Sequence, residues 1–127
     1  MLNTGRILIA DGDDTSLLLI TDSLRTEGYE CNYVPDVTTV IEILKCVKFD
    51  LLILDINMFG SSTLEIIRDL SDNAKGISII LVTDIPFSDS QAQSLKPSVT
   101  ACLRKPLCFE ELLKHVKCSL EDKFIIN

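Results

Sequence analysis

Short apolar runs alternate along the whole chain with segments of helical period, and this pattern constrains the fold more than any other feature. Strands that alternate with helices predict a parallel sheet covered by helices on both faces. The pattern continues from end to end, so we expect residues 1–127 to form one domain of ordinary size. The predicted strands are Arg6–Ala10, Glu30–Val34, Leu51–Leu54, Ile77–Val82 and Val99–Leu103.

The predicted helices have apolar residues at spacings of three or four. Thr15 or Ser16 is expected to cap the first helix, and Gly28 to end it. A third helix capped by Ser61 or Ser62 is expected, whereas residues 89–95 are polar and predict only a loose turn or two. The residues expected to face the core are Leu17, Leu18, Ile20 and Leu24 in the first helix and Val40, Ile41, Leu44 and Val47 in the second. In the third helix they are Leu64, Ile67 and Leu70. In the last helix they are Phe109, Leu112, Leu113, Val116 and Leu120.

Charge and hydropathy exclude several classes of function. The net charge of −7 argues against a direct nucleic-acid surface, which would need clustered Lys and Arg. No apolar run approaches the roughly 20 residues of a membrane span, and the first residues lack a basic segment followed by a long apolar one. We therefore expect a soluble cytoplasmic protein.

The five cysteines do not form a recognisable site. They include no Cys-x-x-Cys pair, and an odd number is unlike a disulfide framework. We expect reduced thiols that pack as small, buried or half-buried residues.

Polar residues follow the predicted strands where each strand ends. Asp55 ends the run Leu51–Leu54, where a carboxylate has no packing function, and Asp11-Gly12-Asp13-Asp14 follows the first strand. The carboxyl ends of parallel strands meet in one crevice, where open α/β sheets bind ligands. Because hard oxygen ligands suit Mg²⁺, two such carboxylate clusters suggest a site for a divalent cation.

Two further polar signals follow later strands, namely Thr83 after the fourth strand and Lys105-Pro106 after the fifth. With the acids after the first and third strands, they form a set in chain order. Over essentially the whole chain this set resembles the receiver domain of two-component response regulators, the CheY-like superfamily. The stretches that carry the resemblance are Ile7–Asp11, Asp50–Met58, Val82-Thr83 and Arg104–Pro106. The resemblance implies a flavodoxin-like, doubly wound sheet of five parallel strands in the order 2-1-3-4-5, with helices on both faces.

The resemblance also implies a chemistry. Asp55 would accept a phosphoryl group from a phosphohistidine on a sensor histidine kinase or histidine phosphotransfer protein. Lys105 would neutralise the phosphoryl oxygens, and Thr83 would donate its hydroxyl to the phosphorylated state. The Lys105-Pro106 bond would be cis. Activity would be limited to self-phosphorylation and dephosphorylation at Asp55, without conventional substrate turnover.

The implied metal ligands for Mg²⁺ are Asp11, Asp55 and the backbone carbonyl of Asn57. Receivers usually have a second acid directly after the first, and here that position is Gly12. We expect weaker Mg²⁺ binding and weakened phosphorylation. Asp13 is a further candidate ligand because the flexibility of Gly12 would let it swing in; otherwise a water would substitute.

Other departures concern the output of the domain. Cys102 occupies the place of an aromatic residue that couples the threonine to the face formed by the fourth helix, fifth strand and fifth helix, so the usual switch is expected to be altered or missing. That face is the expected contact for an output domain or a homodimer. Phe59 stands where proline is common, and Asp84, beside Thr83, either repels a dianion or faces solvent.

Two rival functions remain open from sequence. Asp11-Gly12-Asp13-Asp14-Thr15 also resembles the nucleophile motif of haloacid-dehalogenase-type phosphohydrolases, with Asp11 as nucleophile. A short chain without a cap insertion or a late paired-acid motif argues against that alternative. The second rival is a pseudo-receiver that binds proteins without being phosphorylated, which Gly12, Cys102 and Asp84 motivate.

Overall fold

The computed structural model describes residues 5–56, 67–70, 76–84 and 99–124. All five predicted strands are present, and all neighbours pair in parallel in the order β2-β1-β3-β4-β5. The predicted fold class is confirmed. The strands are β1 (Arg6–Ala10), β2 (Glu30–Val34), β3 (Leu51–Asp55), β4 (Ser78–Thr83) and β5 (Val99–Arg104), and the helices are α1 (Asp14–Thr26), α2 (Val37–Cys46) and α3 (Phe109–Phe124), the last being the fifth helix of the prediction.

The three central strands are buried on both faces, which explains their continuous apolar sequences. Successive side chains of a strand point to opposite faces. In β3, Leu51 and Ile53 therefore pack in one core with α1 and α3, while Leu52 and Leu54 pack in a second core with α2 and with the helical residues 67–70. The sheet thus separates two hydrophobic cores.

The first helix differs from its prediction at two points. Asp13 is the N-cap and accepts a hydrogen bond from the Thr15 N–H, so the prediction of Thr15 or Ser16 as cap was wrong. Leu17, Ile20 and Leu24 are buried as expected, but Leu18 is 49% exposed. One residue advances a helix by about 100°, so Leu18 lies on the flank of the buried stripe. Gly28 follows the helix with a φ of 95°, a left-handed conformation that glycine tolerates best.

The second and third predicted helices are confirmed only in part. Val40 is buried in α2, but Val47 is 36% exposed. The helix ends at Cys46, and Val47 is the C-cap with extended backbone, so its side chain leaves the helical stripe. Ile67 and Leu70 are buried as predicted. Ser61, Ser62, Leu64 and the segment 89–95 lie outside the described residues.

The edge strand β5 contains an irregularity that the sequence did not indicate. Ile79 pairs with Val99 and Ile80 with Ala101, so Thr100 is an extra residue in the register. The Thr100 hydroxyl lies 3.1 Å from the hydroxyl of Ser119 on α3. This contact joins β5 to the helix that covers it. The predicted inward residues of α3 are confirmed, since Leu112, Val116 and Leu120 are buried and Phe109 and Leu113 pack against them.

All five cysteines are free thiols, as expected, but their predicted burial was wrong for four of them. Cys31 is buried, and burial raises the pKa of its thiol to about 11. The other four are exposed because they lie on the edge strand, on helix surfaces or in the loop before α3. Among the described helices, none combines the length and apolarity needed to cross a bilayer.

Candidate functional site

Four of the predicted site residues meet at the carboxyl edge of the sheet. Asp11 directly follows β1, Asp55 ends β3, Thr83 ends β4 and Lys105 directly follows β5. These strands are consecutive neighbours in the sheet, so their ends are adjacent in space. Asp11, Asp55 and Thr83 are only 2%, 6% and 1% exposed. Two carboxylates at this depth require specific partners.

Lys105 is the partner that links the two carboxylates. Its Nζ lies 3.1 Å from Asp11 Oδ2 and 3.2 Å from Asp55 Oδ2. The backbone N–H of Lys105 donates to the Thr83 carbonyl at 2.7 Å, which fixes the loop after β5 against the end of β4. The side chain of Lys105 therefore crosses the pocket toward β1 and β3.

The titration behaviour of the pocket reflects this arrangement. Burial raises the pKa of the Asp11 carboxyl above its usual range, and this outweighs the lowering by the Asp13 N–H and by Lys105. For Lys105, burial acts to lower the pKa, but the hydrogen bond and charge of Asp11, together with Asp55, raise it overall. Contact with the two acids thus favours the protonated form of Lys105.

The pocket has the properties of a cation site. Asp11 Oδ1 accepts from the Asp13 N–H at 2.9 Å. Asp11 Oδ2 is buried, and among the residues that the structure describes no donor is directed at it with hydrogen-bond geometry, although Lys105 is near enough for an ion pair. One ammonium facing two carboxylates also leaves one negative charge. An incompletely satisfied oxygen and an all-oxygen donor set fit a hard cation such as Mg²⁺.

Asp13, a further predicted metal ligand, is the N-cap of α1 in this structure. Both carboxylate oxygens of Asp13 are used at the start of α1, with Oδ1 accepting from the Thr15 N–H and Oδ2 from the Ser16 hydroxyl at 3.2 Å. These hydrogen bonds lower the pKa of Asp13. Asp13 is exposed and acts as the helix cap in this structure. Asn57 lies outside the described residues.

A groove beside Lys105 was not anticipated from sequence. It has a volume of ≈ 640 Å³ and is walled by α1, by the loop after β5 and by the start of α3. Leu19, which is 64% exposed, lies in its wall together with Leu107 and Phe109. The available signal was a run of three leucines in α1, Leu17 to Leu19, longer than one buried stripe needs.

Three of the four residues that depart from the expected pattern lie among the described residues, and all three are exposed. Gly12 is exposed between Asp11 and Asp13, Cys102 is exposed on β5, and Asp84 is exposed directly after β4. Phe59 lies outside the described residues. The Lys105-Pro106 peptide bond is cis, as predicted.

Comparison with known proteins agrees with the fold. The family model of the response regulator receiver domain matches residues 7–117. Sensor protein EvgS of Escherichia coli (strain K12) is 29% identical over 110 residues, which cover 87% of this chain and 9% of EvgS. The probable transcriptional regulatory protein SilR of Salmonella typhimurium is 27% identical over 115 residues, covering 91% of this chain and 50% of SilR.

Among solved structures, a CheY-like response regulator receiver domain protein from Methanospirillum hungatei JF-1 superimposes with a TM-score of 0.81 and 26% identity. The match covers 95% of this chain and 97% of that one. The chain therefore belongs to the response regulator receiver domain family. Its class of function is that of a phosphorelay receiver in two-component signal transduction. Receiver domains of this family work with sensor histidine kinases and typically bind Mg²⁺ at the acidic pocket.

Proposed function

We propose that Asp55 is the phosphoacceptor of this receiver and that Lys105, Thr83 and Asp11 support its reaction. The observation that carries the proposal is the position of the Lys105 ammonium, 3.2 Å from Asp55 Oδ2 and 3.1 Å from Asp11 Oδ2. A carboxylate that attacks phosphorus needs positive charge against the phosphoryl oxygens, and Lys105 supplies it beside the nucleophile.

The transfer requires no redox step. A carboxylate oxygen of Asp55 forms a bond to phosphorus as the bond from phosphorus to the donor imidazole breaks, and the imidazole departs with that electron pair and takes up a proton. Lys105 would then exchange part of its contact with Asp55 for the new phosphoryl oxygens. Thr83, buried at the end of the adjacent strand β4, would donate its hydroxyl to the same group.

We assign Mg²⁺ binding to Asp11 and Asp55, with the backbone carbonyl of Asn57 as a third ligand. The buried, incompletely satisfied Oδ2 of Asp11 supports this assignment. A bound Mg²⁺ would supply charge that offsets the phosphoryl oxygens. With Gly12 in place of a second acid, we expect the site to bind Mg²⁺ weakly, because Asp13 is held in the α1 cap.

The phosphodonor would be a sensor histidine kinase or a histidine phosphotransfer protein, in the cytoplasm. We further propose that residues 1–127 form a single receiver domain, which the family match over residues 7–117 supports. The chain spans half of SilR and less than a tenth of EvgS. An output domain, or a homodimer through the face of the fourth predicted helix, β5 and α3, belongs to the proposal as well.

Phosphorylation can be tested by incubating the chain with acetyl phosphate or phosphoramidate and Mg²⁺ and measuring intact mass. We expect a phosphate-sized adduct on wild type and none on Asp55→Asn. The matched control is Asp69→Asn, an exposed acid in the helical residues 67–70, and it should keep the adduct. Absence of an adduct on wild type at high donor and Mg²⁺ concentration would refute the proposal and favour a pseudo-receiver.

If the chain were a phosphohydrolase with Asp11 as nucleophile, loss of Asp11 and not of Asp55 would abolish its activity. It would hydrolyse para-nitrophenyl phosphate, and Asp11→Asn but not Asp55→Asn would abolish that activity. Lys105 pairs with both acids, but Asp11 is 2% exposed and Asp55 is 6% exposed, which makes Asp11 the less accessible nucleophile. None of the relatives described above is named as a phosphohydrolase.

A further inference from the structure

A second cavity lies at the amino-terminal edge of the sheet, opposite the edge that carries Asp55. It has a volume of ≈ 430 Å³ and is lined by the start of β4, by the extra residue Thr100 of β5 and by one face of α3. Two of its α3 residues, His115 and Cys118, are of types that bind metal ions. Neither has a role in the phosphorylation proposed above, so the cavity combines side chains that the receiver reaction does not use.

The helix places the imidazole and the thiol beside each other. Residues three positions apart on an α-helix are neighbours on its surface, with Cβ atoms about 5–6 Å apart. His115 is half-buried, and Cys118 is exposed with a free thiol. Both border the same cavity, so one nitrogen donor and one sulfur donor adjoin a common space.

The rest of the described wall supplies no further strong ligand. Among the described residues, no group of three or more His, Cys, Asp or Glu side chains is placed to hold a metal ion. The hydroxyls of Thr100 and Ser119 lie 3.1 Å apart, and Thr100 also donates to the Ile79 carbonyl at 3.3 Å, so both hydroxyls are already hydrogen-bonded. The cavity therefore offers one soft donor and one borderline donor.

We propose that His115 and Cys118 form a two-coordinate site for a soft monovalent metal ion, Cu(I). Thiolate sulfur selects soft ions, and imidazole nitrogen also suits copper. Cu(I) is stable with two ligands, so one sulfur and one nitrogen complete its coordination shell. Zn²⁺ takes four ligands and would need two more. This inference does not depend on phosphotransfer to Asp55.

Binding of Cu(I) requires no change of oxidation state. The Cys118 thiol loses its proton to solvent as the sulfur bonds to the metal, and neutral His115 donates a nitrogen lone pair. One positive charge enters and one proton leaves, so the net charge of the cavity is unchanged. A divalent ion would add a positive charge where Lys114 and Lys117 flank the pair in sequence and no acid is among the described lining residues.

The test adds Cu(I), supplied as its acetonitrile complex, to the full chain without oxygen, with ascorbate as a thiol-free reductant and Mg²⁺ present. We expect one copper ion per chain in the native mass spectrum. His115 is the only histidine of the sequence, so the imidazole NMR signals report this site directly. Because Cu(I) is diamagnetic, those signals should shift and remain observable. Competition with the chelator ferrozine measures the affinity.

Four variants assign the ligands. Cys118→Ser and His115→Gln should each lower the Cu(I) affinity by more than about tenfold, the smallest loss typical when even an outer partner of a metal ligand is removed. Cys46→Ser removes an exposed thiol at the end of α2, which packs on the other face of the sheet, and should change neither the affinity nor the imidazole shift. Asp55→Asn should also keep both. Thermal melts verify that each variant is folded.

The outcomes separate this site from the phosphoacceptor. Copper binding with an imidazole shift that both ligand variants lose and both controls keep would confirm the site. Copper binding that leaves the imidazole signals unmoved, or that persists at full affinity in Cys118→Ser, would overturn it. Zn²⁺ binding as tight as that of Cu(I), or one copper bridging two chains, would overturn the two-coordinate assignment within one chain. Absence of phosphorylation beside intact copper binding would overturn only the proposed function.

Discussion

At the scale of single residues, Lys105 sets the net charge of the pocket. It brings one positive charge to two buried carboxylates, so the pocket keeps a net negative charge. For Asp11 this arrangement has a cost, because burial raises the pKa of its carboxyl. The pocket is therefore better suited to binding a cation than to stabilising the metal-free fold.

We expect Asp11→Asn to stabilise the metal-free domain at pH 7 by about 1 kcal/mol, a modest figure because the variant also loses the ion pair with Lys105. A carboxyl whose pKa is higher in the folded state folds best when protonated, so its ionisation costs stability above that pKa. The stabilisation by Asp11→Asn should therefore decline as pH falls through the raised pKa of Asp11 toward the usual aspartate pKa of about 3.9. Urea unfolding in EDTA at several pH values measures it.

The control for that experiment is Asp22→Asn, an exposed acid that should change stability little at any pH. Adding Mg²⁺ should stabilise wild type and not Asp11→Asn, since the variant lacks a proposed ligand. If Asp11→Asn is less stable than wild type at pH 7 in EDTA, the interactions of Asp11 stabilise the metal-free fold by more than the burial of its charge destabilises it.

At the scale of single elements, the start of α1 decides what Asp13 does. The helix leaves its first backbone N–H groups without internal partners, and an aspartate at the N-cap accepts from them. Asp13 provides both this bond and one to the Ser16 hydroxyl. Because Asp14 begins the helix directly, a swing of Asp13 toward Asp11 would remove the cap.

We expect Asp13→Ala to lower the melting temperature by a few degrees, because alanine cannot accept the cap hydrogen bonds. Asp13→Asn should retain most of the stability, since asparagine caps well. The lowered pKa of Asp13 means that its stabilisation is present at neutral pH and is lost as pH falls through that pKa. Thermal melts at neutral and acidic pH compare the three proteins.

The same two variants test whether Asp13 binds metal. If Asp13 acts only as the helix cap, Asp13→Asn should leave the Mg²⁺ affinity nearly unchanged. A large loss of affinity with the cap intact would instead show that Asp13 reaches the pocket when Mg²⁺ is present. Calorimetric titration of Mg²⁺ at constant ionic strength gives the required affinities.

At the scale of the whole molecule, the sheet carries the stability of the fold because its central strands pack against two cores. Ile53 is fully buried in the core shared with α1 and α3. We expect Ile53→Ala to reduce the free energy of unfolding by about 2–5 kcal/mol, from lost apolar burial and the cavity left behind. Leu18→Ala, at an exposed position, should stay within about 0.5 kcal/mol of wild type.

Urea denaturation monitored by circular dichroism measures both variants, and equal slopes would confirm that the surface exposed on unfolding is unchanged. Comparable losses for Ile53→Ala and Leu18→Ala would contradict the assignment of the core. A loss at Leu18 alone would indicate that this side chain is covered in the protein in solution.

Much of this architecture follows from sequence alone. Continuous apolar runs separated by helical stripes predict β1, β3 and β4 because a strand buried on both faces admits no polar position. The polar residues that interrupt this pattern, Asp55 and Thr83, sit at strand ends, and topology brings strand ends together. For that reason the sequence predicts the centre of the site, including the position of Lys105 at the same edge of the sheet as the acids.

Only the tertiary structure decided the exposure of Leu18, the extra residue at Thr100, the capping role of Asp13 and the groove that joins Asp84 to Lys105. Each depends on how one element meets another: a helix flank, a strand register, a loop end or the space between α1 and α3. Local periodicity determines which residues are apolar together, because it follows from the geometry of a single helix or strand. Which polar atoms share a pocket depends on packing between distant segments, and no local pattern encodes it.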